Sequence, residues 1–153
     1  MSLFLSSFTN KIDTKGRVSV PATFRAATTG EQFQGVVLYR SFAGKCIEGL
    51  SMSRMEQIAS ATDNMNLFDE KLDELTAMLF ADARQLPFDV TGRIVLPSDL
   101  MAHAGIGGEG AEALFVGRGR SFQIWEPAAF AAHQADALKR LQSDKPNLTL
   151  RNN

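Results

Sequence analysis

A short sequence element that occurs twice limits the folds open to this chain of 153 residues. Residues 13–25 read DTKGRVSVPATFR, and residues 89–101 read DVTGRIVLPSDLM. At a constant offset of 76 positions the copies share four residues: Asp13, Gly16, Arg17 and Pro21 match Asp89, Gly92, Arg93 and Pro97. Such a repeat indicates two similar structural units. Because a unit of only about 60 residues buries little surface by itself, we expect two half-domains that share one core.

Each copy of this element predicts a tight turn, a short strand and a short helix. Aspartate at the first position and glycine at the fourth are typical of a hairpin turn that ends in a left-handed glycine. Because strands alternate, Val18 and Val20 should face the core while Arg17 faces outward beside the turn. Ile94 and Leu96 should face inward in the second copy. The proline then ends the strand and suits the first turn of a helix.

Beyond the repeated element, hydrophobic spacing predicts a similar order of elements in both halves. The expected elements are strands at residues 36–39, from residue 46, at 112–116 and at 122–125, and a final helix at 127–141. Together with the two hairpins they define an α+β fold, with residues 4–60 as the first half and residues 87–141 as the second. The polar tail, residues 142–153, is expected to be loosely ordered.

Residues 61–86 are expected to contribute a linking helix between the halves. Ser53 and Glu56 form a capping box that predicts the start of the preceding helix. Asn66 can cap the linking helix, which should end near residue 86, before Pro87. Its apolar residues recur at helical spacing: Phe68, Leu72, Leu75 and Leu79. We expect this stripe to lie in the core or in a subunit interface.

Composition and charge narrow the class of protein. The chain has 44% hydrophobic residues, 22% charged residues, one cysteine and a net charge of −1, which is typical of a globular protein rather than a polycation. It lacks the ~18 consecutive apolar residues of a membrane helix and the basic start of a secretory signal, so we expect a cytoplasmic protein. Residues 1–55 hold seven Lys/Arg and three acids, whereas residues 56–88 hold two and seven. This imbalance allows a local anion-binding face, although an ordinary solvated surface would give the same counts.

No sequence pattern supports catalysis, a metal site or a cofactor. His103 and His133 lie in predicted helices without the spacing of a zinc motif, and an enzyme would need a buried polar cleft around one of them. Cys46 lies in an apolar strand, where cysteine is usually a small core residue. Residues 105–110 fit G-x-G-x-x-G, but a helix precedes and a strand follows, the reverse of a dinucleotide site. We expect no enzyme and no small-molecule substrate.

The arginine of each repeated element is the residue that structural needs explain least. Asp13 and Arg17 could pair across the turn, a surface contact worth about 0–1 kcal/mol. A two-stranded ribbon also fits the major groove of DNA, where arginine favours the N7 and O6 atoms of guanine. Arg17 and Arg93, with Lys15 beside the first, are therefore candidate DNA-binding residues. The residues expected to support these turns are Asp13, Gly16, Asp89 and Gly92.

The sequence resembles the MraZ family, within the AbrB/SpoVT-like superfamily of swapped-hairpin DNA-binding proteins. The resemblance rests on residues 13–25, Phe80-Ala-Asp82-Ala-Arg84, the stretch from Asp89 to Pro97, His103-Ala-Gly105, Val116-Gly117 and Ile124-Trp125. It runs in order from about residue 4 to about residue 130. Two places depart from the family pattern: Glu48-Gly49-Leu50 stands where an apolar-Tyr-Pro run is usual, and Ser6 stands where glycine is frequent.

The resemblance implies two tandem pseudo-symmetric swapped-hairpin β-barrel halves with flanking helices, assembled into a ring-shaped homo-oligomer. It also implies a cytoplasmic, nucleoid-associated transcriptional regulator, commonly a repressor of the cell-division and cell-wall operon that carries its own gene. Its partner would be double-stranded promoter DNA with short G-rich direct repeats. Arg17 and Arg93 would be the D-x-x-x-R arginines that face this DNA. A non-catalytic ring that binds an acidic protein partner through the same turns remains the alternative.

Overall fold

The computed structural model describes residues 2–150 and has an α+β fold, as the sequence predicted. The first half contains β1 (Ser7–Lys11), β2 (Arg17–Ser19), α1 (Ala22–Ala26), β3 (Gly35–Arg40), β4 (Ile47–Leu50) and α2 (Met52–Thr62). Next come α3 (Glu70–Leu79), β5 (Arg84–Pro87), β6 (Arg93–Val95), α4 (Ser98–His103), β7 (Glu112–Gly117), β8 (Phe122–Trp125) and α5 (Pro127–Ser143). The predicted hairpin of β7 and β8 is confirmed.

The strands form two antiparallel sheets in which the halves exchange strands. Six strands form one sheet in the order β1-β7-β8-β4-β3-β5, and β2 and β6 form a separate two-stranded ribbon. The strand before each repeated element pairs with a strand that follows the other repeated element: β1 pairs with β7, and β5 pairs with β3. The halves therefore share backbone hydrogen bonds as well as a core, which confirms the swapped arrangement. Closure of these strands into a barrel stays a prediction.

The order of the large sheet reads the same when the halves are interchanged, with β4 and β8 at its centre. Glu48 lies opposite Gln123 there, and the Gln123 amide donates hydrogen bonds to both carboxylate oxygens at 3.0 and 3.1 Å. Gly49 lies opposite Phe122, and a Cβ atom at residue 49 would come within 2.3 Å of that ring. The departure from the family pattern at residues 48–50 thus occurs where the two halves meet, and glycine makes room for the ring.

The main core lies between the ribbon and one face of the large sheet. Val18 and Ile94 contribute from the ribbon, and both are only 1% exposed. Phe24 of α1 is the centre of an aromatic cluster, with its ring centroid 5.3–6.2 Å from four others: Phe4, Phe8, Phe115 and Phe122. Edge-to-face and tilted contacts of this kind add to the free energy of burying aromatic area. The ribbon is therefore held by its buried face.

Helices cover the other face of the large sheet. The buried residues Met55 of α2 and Leu79 of α3 pack with Val37 and Tyr39, which alternate with the core-facing residues of β3. Phe130 of α5 packs near Trp125, with ring centroids 5.5 Å apart. Because the ribbon packs on the opposite face, these helices lie away from it. No helix within residues 2–150 is both long and apolar enough to cross a membrane.

The helix of the linking region is shorter than the sequence predicted. The expected run to about residue 86 is wrong, since α3 ends at Leu79 and β5 follows. Residues 84–87 form β5 instead, because they pair with β3. This long-range pairing outweighs the local helix propensity. Asp69 caps α3 in place of Asn66 by accepting a hydrogen bond from the Lys71 amide. Phe68, expected on the apolar stripe, precedes the helix and is 93% exposed.

The predicted capping box at Ser53 is also wrong, because Ser51 is the cap of α2. The Ser51 hydroxyl accepts a hydrogen bond from the Arg54 amide at 3.2 Å. Ser53 instead binds Glu31, to which it donates from its amide at 2.9 Å and from its hydroxyl at 2.7 Å. A long-range carboxylate thus takes the place of the predicted Glu56 partner.

The end of the described chain has little regular structure. Helix α5 continues two residues beyond the predicted end at residue 141, to Ser143. Residues 145–150 are exposed and have no regular secondary structure. The last three residues of the predicted tail, 151–153, lie outside the described residues.

Ser6 is the one non-glycine residue with positive φ within residues 2–150, at 71°. Its carbonyl accepts a hydrogen bond from the Gly117 amide at 2.8 Å, so the backbone there is fixed. Because side chains disfavour this conformation, Ser6→Gly should stabilise the fold by about 1 kcal/mol. Thermal unfolding should show a rise in Tm of about 2–4 °C. Ser7→Gly, inside β1, is the matched control and should lower the Tm; a lower Tm for Ser6→Gly would contradict the prediction.

Candidate nucleic-acid interface

The two repeated elements form turns of the same geometry, here named the first tip (residues 13–16) and the second tip (residues 89–92). In the first tip, Asp13 Oδ1 accepts hydrogen bonds from the amides of Lys15 at 2.9 Å and Arg17 at 2.8 Å. The Gly16 amide donates to the Asp13 carbonyl at 3.0 Å, and Gly16 has a φ of 80°. Aspartate thus holds the turn from within, and glycine supplies the left-handed residue that ends it.

The second tip repeats these bonds. Asp89 Oδ1 accepts from the amides of Thr91 and Arg93, both at 2.9 Å, and Gly92 has a φ of 81°. In each tip the arginine backbone amide is the largest cause that lowers the pKa of the aspartate carboxyl, so Asp13 and Asp89 are both more acidic than usual. Each tip therefore carries an ionised carboxylate at neutral pH.

These carboxylates also orient the arginine side chains. Arg17 Nε donates to Asp13 Oδ2 at 2.7 Å, and Arg93 Nε donates to Asp89 Oδ2 at 2.9 Å. The terminal nitrogens of both guanidinium groups make no hydrogen bond to any residue between 2 and 150. The side chains are 34% and 33% exposed, respectively. One edge of each guanidinium is thus fixed to its turn, while the terminal amino groups stay available to a ligand.

Strand register brings the two arginines onto one surface. In the β2–β6 ribbon, Arg17 lies opposite Val95, Val18 opposite Ile94, and Ser19 opposite Arg93. Because the middle pair is buried, the other four side chains lie on the outer face. Arg17 and Arg93 are therefore diagonal neighbours, about 7–8 Å apart at their Cα atoms. The sequence suggested each arginine separately and gave no sign that they form one patch.

The surroundings of the two tips differ. Lys15 of the first tip is exposed, and its counterpart Thr91 turns its hydroxyl to Asp89 Oδ1 at 2.9 Å. Arg25 of α1 lies against the second tip, where a Cβ atom on Gly92 would come within 2.6 Å of the Arg25 side chain. The Arg25 Nε is held by the Val20 carbonyl at 3.1 Å. The sequence-based prediction did not include Arg25. The signal that could have found it is its replacement by Met101 in the second copy, which marks Arg25 as a position where the two copies differ in charge.

A second cluster of charges lies beside α4 and includes Asp82 and Arg84 of the stretch Phe80–Arg84. Arg84 donates from both terminal nitrogens to Asp99 at 2.9 and 2.6 Å, and these bonds lower the Asp99 pKa to about 2. Arg40 donates to Asp82 and to Asp99. Because both terminal nitrogens of Arg84 are used, this cluster fixes α4 against the sheet edge, unlike the arginines of the ribbon.

The two histidines and the cysteine, which were the candidates for catalysis or metal binding, make contacts within the fold. His103 Nε2 donates to the carbonyls of Ser41 and Gly44, both at 3.1 Å, and so ties α4 to the β3–β4 turn. His133 is exposed on α5 and lies against the Trp125 ring. Burial raises the pKa of the Cys46 thiol to about 11, so the thiol is protonated at neutral pH. No group of three or more potential ligands among residues 2–150 could hold a metal ion.

Comparison with known proteins gives one consistent result. The model of a family described as "MraZ protein, putative antitoxin-like" matches residues 79–152. A protein of Rickettsia peacockii (strain Rustic) named "Transcriptional regulator MraZ" is 41% identical over 152 residues, which cover 99% of each chain. A protein of the same name from Pelagibacter ubique (strain HTCC1062) is 41% identical over 146 residues, covering 95% of this chain and 92% of the relative.

The lowered pKa of Asp89 predicts how acid affects the second tip. Because the folded-state pKa is depressed, the charged carboxylate adds stability above the usual aspartate pKa of about 3.9, and this stability is lost as the pH falls through the folded-state pKa. Asp89→Asn should therefore lower the Tm most above about pH 5, and the difference from wild type should shrink below about pH 4. Thermal melts from pH 7 to pH 2 measure this.

Asp136→Asn is the control for this series. The Asp136 carboxylate lies exposed on α5 and makes no ion pair or hydrogen bond with residues 2–150. Its Tm difference from wild type should stay small at every pH. An Asp89→Asn difference that is the same at pH 7 and pH 2 would contradict the prediction.

Proposed function

Because the chain belongs to the MraZ family, we propose that it is a transcription regulator that binds promoter DNA through the outer face of the β2–β6 ribbon. The observation that carries this proposal is the strand register, which sets Arg17 and Arg93 side by side on one exposed surface. A two-stranded ribbon has the width to enter the major groove. Arginine there forms two hydrogen bonds to guanine O6 and N7, the commonest base-specific contact.

The geometry of each arginine suits base reading. Its Nε is already bonded to the turn aspartate, so the guanidinium loses less freedom when it binds. The two terminal nitrogens remain for the two acceptors of guanine. Lys15 lies beside the first arginine and would contact a phosphate, because a flexible ammonium is a point charge without the planar fork of arginine. Asp13, Gly16, Asp89 and Gly92 support these contacts by holding the turns.

The distribution of charge agrees with binding through one face of a near-neutral chain. The ribbon and the acidic helix α3 pack on opposite faces of the large sheet. Val18 and Ile94 of the ribbon lie on one face, and Leu79 of α3 lies on the other. Helix α3 carries Glu70 and Asp73 in its first turn, behind the capping Asp69. A DNA molecule against the ribbon would therefore meet the basic tips and stay away from these carboxylates.

One ribbon offers few contacts, so we propose that the chain acts as a ring-shaped homo-oligomer on repeated sites. Several ribbons on one ring would bind short G-rich direct repeats together, and such linkage can raise avidity by ~10²–10⁴-fold. The protein would repress the operon that carries its own gene, which serves cell division and cell-wall synthesis. It would act in the cytoplasm, at the nucleoid. The first half, residues 4–60, would supply the first tip, and the second half, residues 87–141, would supply the second tip. This binding would need no cofactor.

Substitution of the arginines tests this proposal. Arg17→Ala and Arg93→Ala should each weaken binding to DNA from upstream of the protein's own gene by about 10- to 100-fold, because each removes a two-bonded guanine contact worth ~1–3 kcal/mol. Mobility-shift titrations at fixed salt measure the loss, and light scattering checks that the oligomer is unchanged. Arg140→Ala, on exposed α5, is the matched control and should bind like wild type.

The same titration separates DNA binding from the alternative of a ring that holds an acidic protein. A specific regulator binds its promoter far more tightly than scrambled DNA at physiological salt. Equal affinity for the two DNAs would favour the protein-binding ring. Unchanged promoter binding by Arg17→Ala and Arg93→Ala, with specificity intact, would place the DNA site elsewhere on the molecule.

A further inference from the structure

Val95 is an exposed apolar residue on the ribbon's outer face, at the end that carries Arg17. Its side chain is 57% exposed, although its strand neighbour Ile94 is 1% exposed. It lies directly opposite Arg17, and its counterpart in the first copy of the repeat is Ser19, which lies opposite Arg93. The outer face thus pairs an arginine with a valine at one end and an arginine with a serine at the other.

The position of Val95 gives it access to whatever Arg17 binds. Directly opposed residues of an antiparallel pair have Cβ atoms about 4.5–5.5 Å apart. Neighbouring bases on one DNA strand are separated by ~3.4 Å. When Arg17 binds one base pair, Val95 therefore lies at the same base pair or at the next one. Exposed valine is common in strands, but here it stands within the surface that carries both arginines.

We propose that Val95 is a specificity-determining residue that contacts the C5 methyl group of a thymine next to the guanine bound by Arg17. Thymine is the base that presents a methyl group in the major groove, and apolar side chains recognise it there. This inference rests on the proposed function, because it needs the ribbon in the major groove. Serine at the equivalent place beside Arg93 has a hydroxyl, which can bond to the edge of any base.

The contact makes the two ends of the ribbon chemically different. A ribbon with identical ends would bind a site equally well in either direction. With valine at one end and serine at the other, one direction places the methyl group against Val95 and the opposite direction does not. Each ribbon therefore binds its DNA site with a fixed polarity.

Replacement of thymine by deoxyuracil tests the contact, since the exchange removes the methyl group alone. The probe is the promoter duplex that wild-type protein binds, with one thymine replaced at a time, titrated at constant salt. At one position next to a guanine, the wild-type Kd should rise about 3- to 5-fold, as expected for loss of one buried methyl group. For Val95→Ser the Kd should be the same with thymine and with deoxyuracil at that position.

Leu138→Ser is the matched control, because Leu138 is as exposed as Val95, at 56%, and lies on α5, away from the ribbon. This variant should keep the wild-type response to deoxyuracil. The inference is overturned if no position responds in wild type, a test that needs no variant. It is also overturned if Val95→Ser keeps the response or if Leu138→Ser loses it. Failure of the proposed function is a separate result, seen as equal wild-type affinity for promoter and scrambled DNA before any thymine is replaced; that result overturns both.

Discussion

The pairing of β2 with β6 is the interaction on which the candidate site depends. It joins a three-residue strand from each half, and neither strand pairs with the large sheet. Val18 and Ile94 fix the side that faces the core, and a shift by one residue would turn both arginines inward. Burial of the two aliphatic side chains thus sets the direction of the two charged ones. The core and the interface are opposite faces of the same strand pair.

The exchange of strands explains why the halves behave as one molecule. The backbone amide of Val20 donates to the Gly92 carbonyl, and that of Leu96 donates to the Gly16 carbonyl, so each half's chain supports the other half's tip. Helix α1 accordingly lies beside the second tip, with Arg25 against Gly92. Arg25 of the first half therefore packs against the turn of the second half. The structural unit that matters for binding is assembled from both copies of the repeat.

Symmetry in the fold coexists with asymmetry in chemistry. The turn aspartates, glycines and arginines are equivalent in geometry, because the same backbone hydrogen bonds form at both tips. The differences that matter for binding lie at the tips and on the outer face: Lys15 against Thr91, and Ser19 against Val95. A nucleic-acid strand has a direction and an unequal sequence, so a reader with unequal ends can distinguish what a symmetric one cannot. The proposed role of the ribbon depends on these unequal positions.

The sequence by itself determined the local chemistry: the repeat, the Asp–Gly turns, the inward valines and the α+β class all follow from spacing of a few residues. It misplaced the end of α3 and the cap of α2, because long-range pairing with β3 and Glu31 outweighed local propensity. Only the tertiary structure brought Arg17 beside Arg93 and Val95. Spacing along the chain fixes a turn or a helix face, whereas strands 76 residues apart meet through burial and register that no local pattern encodes.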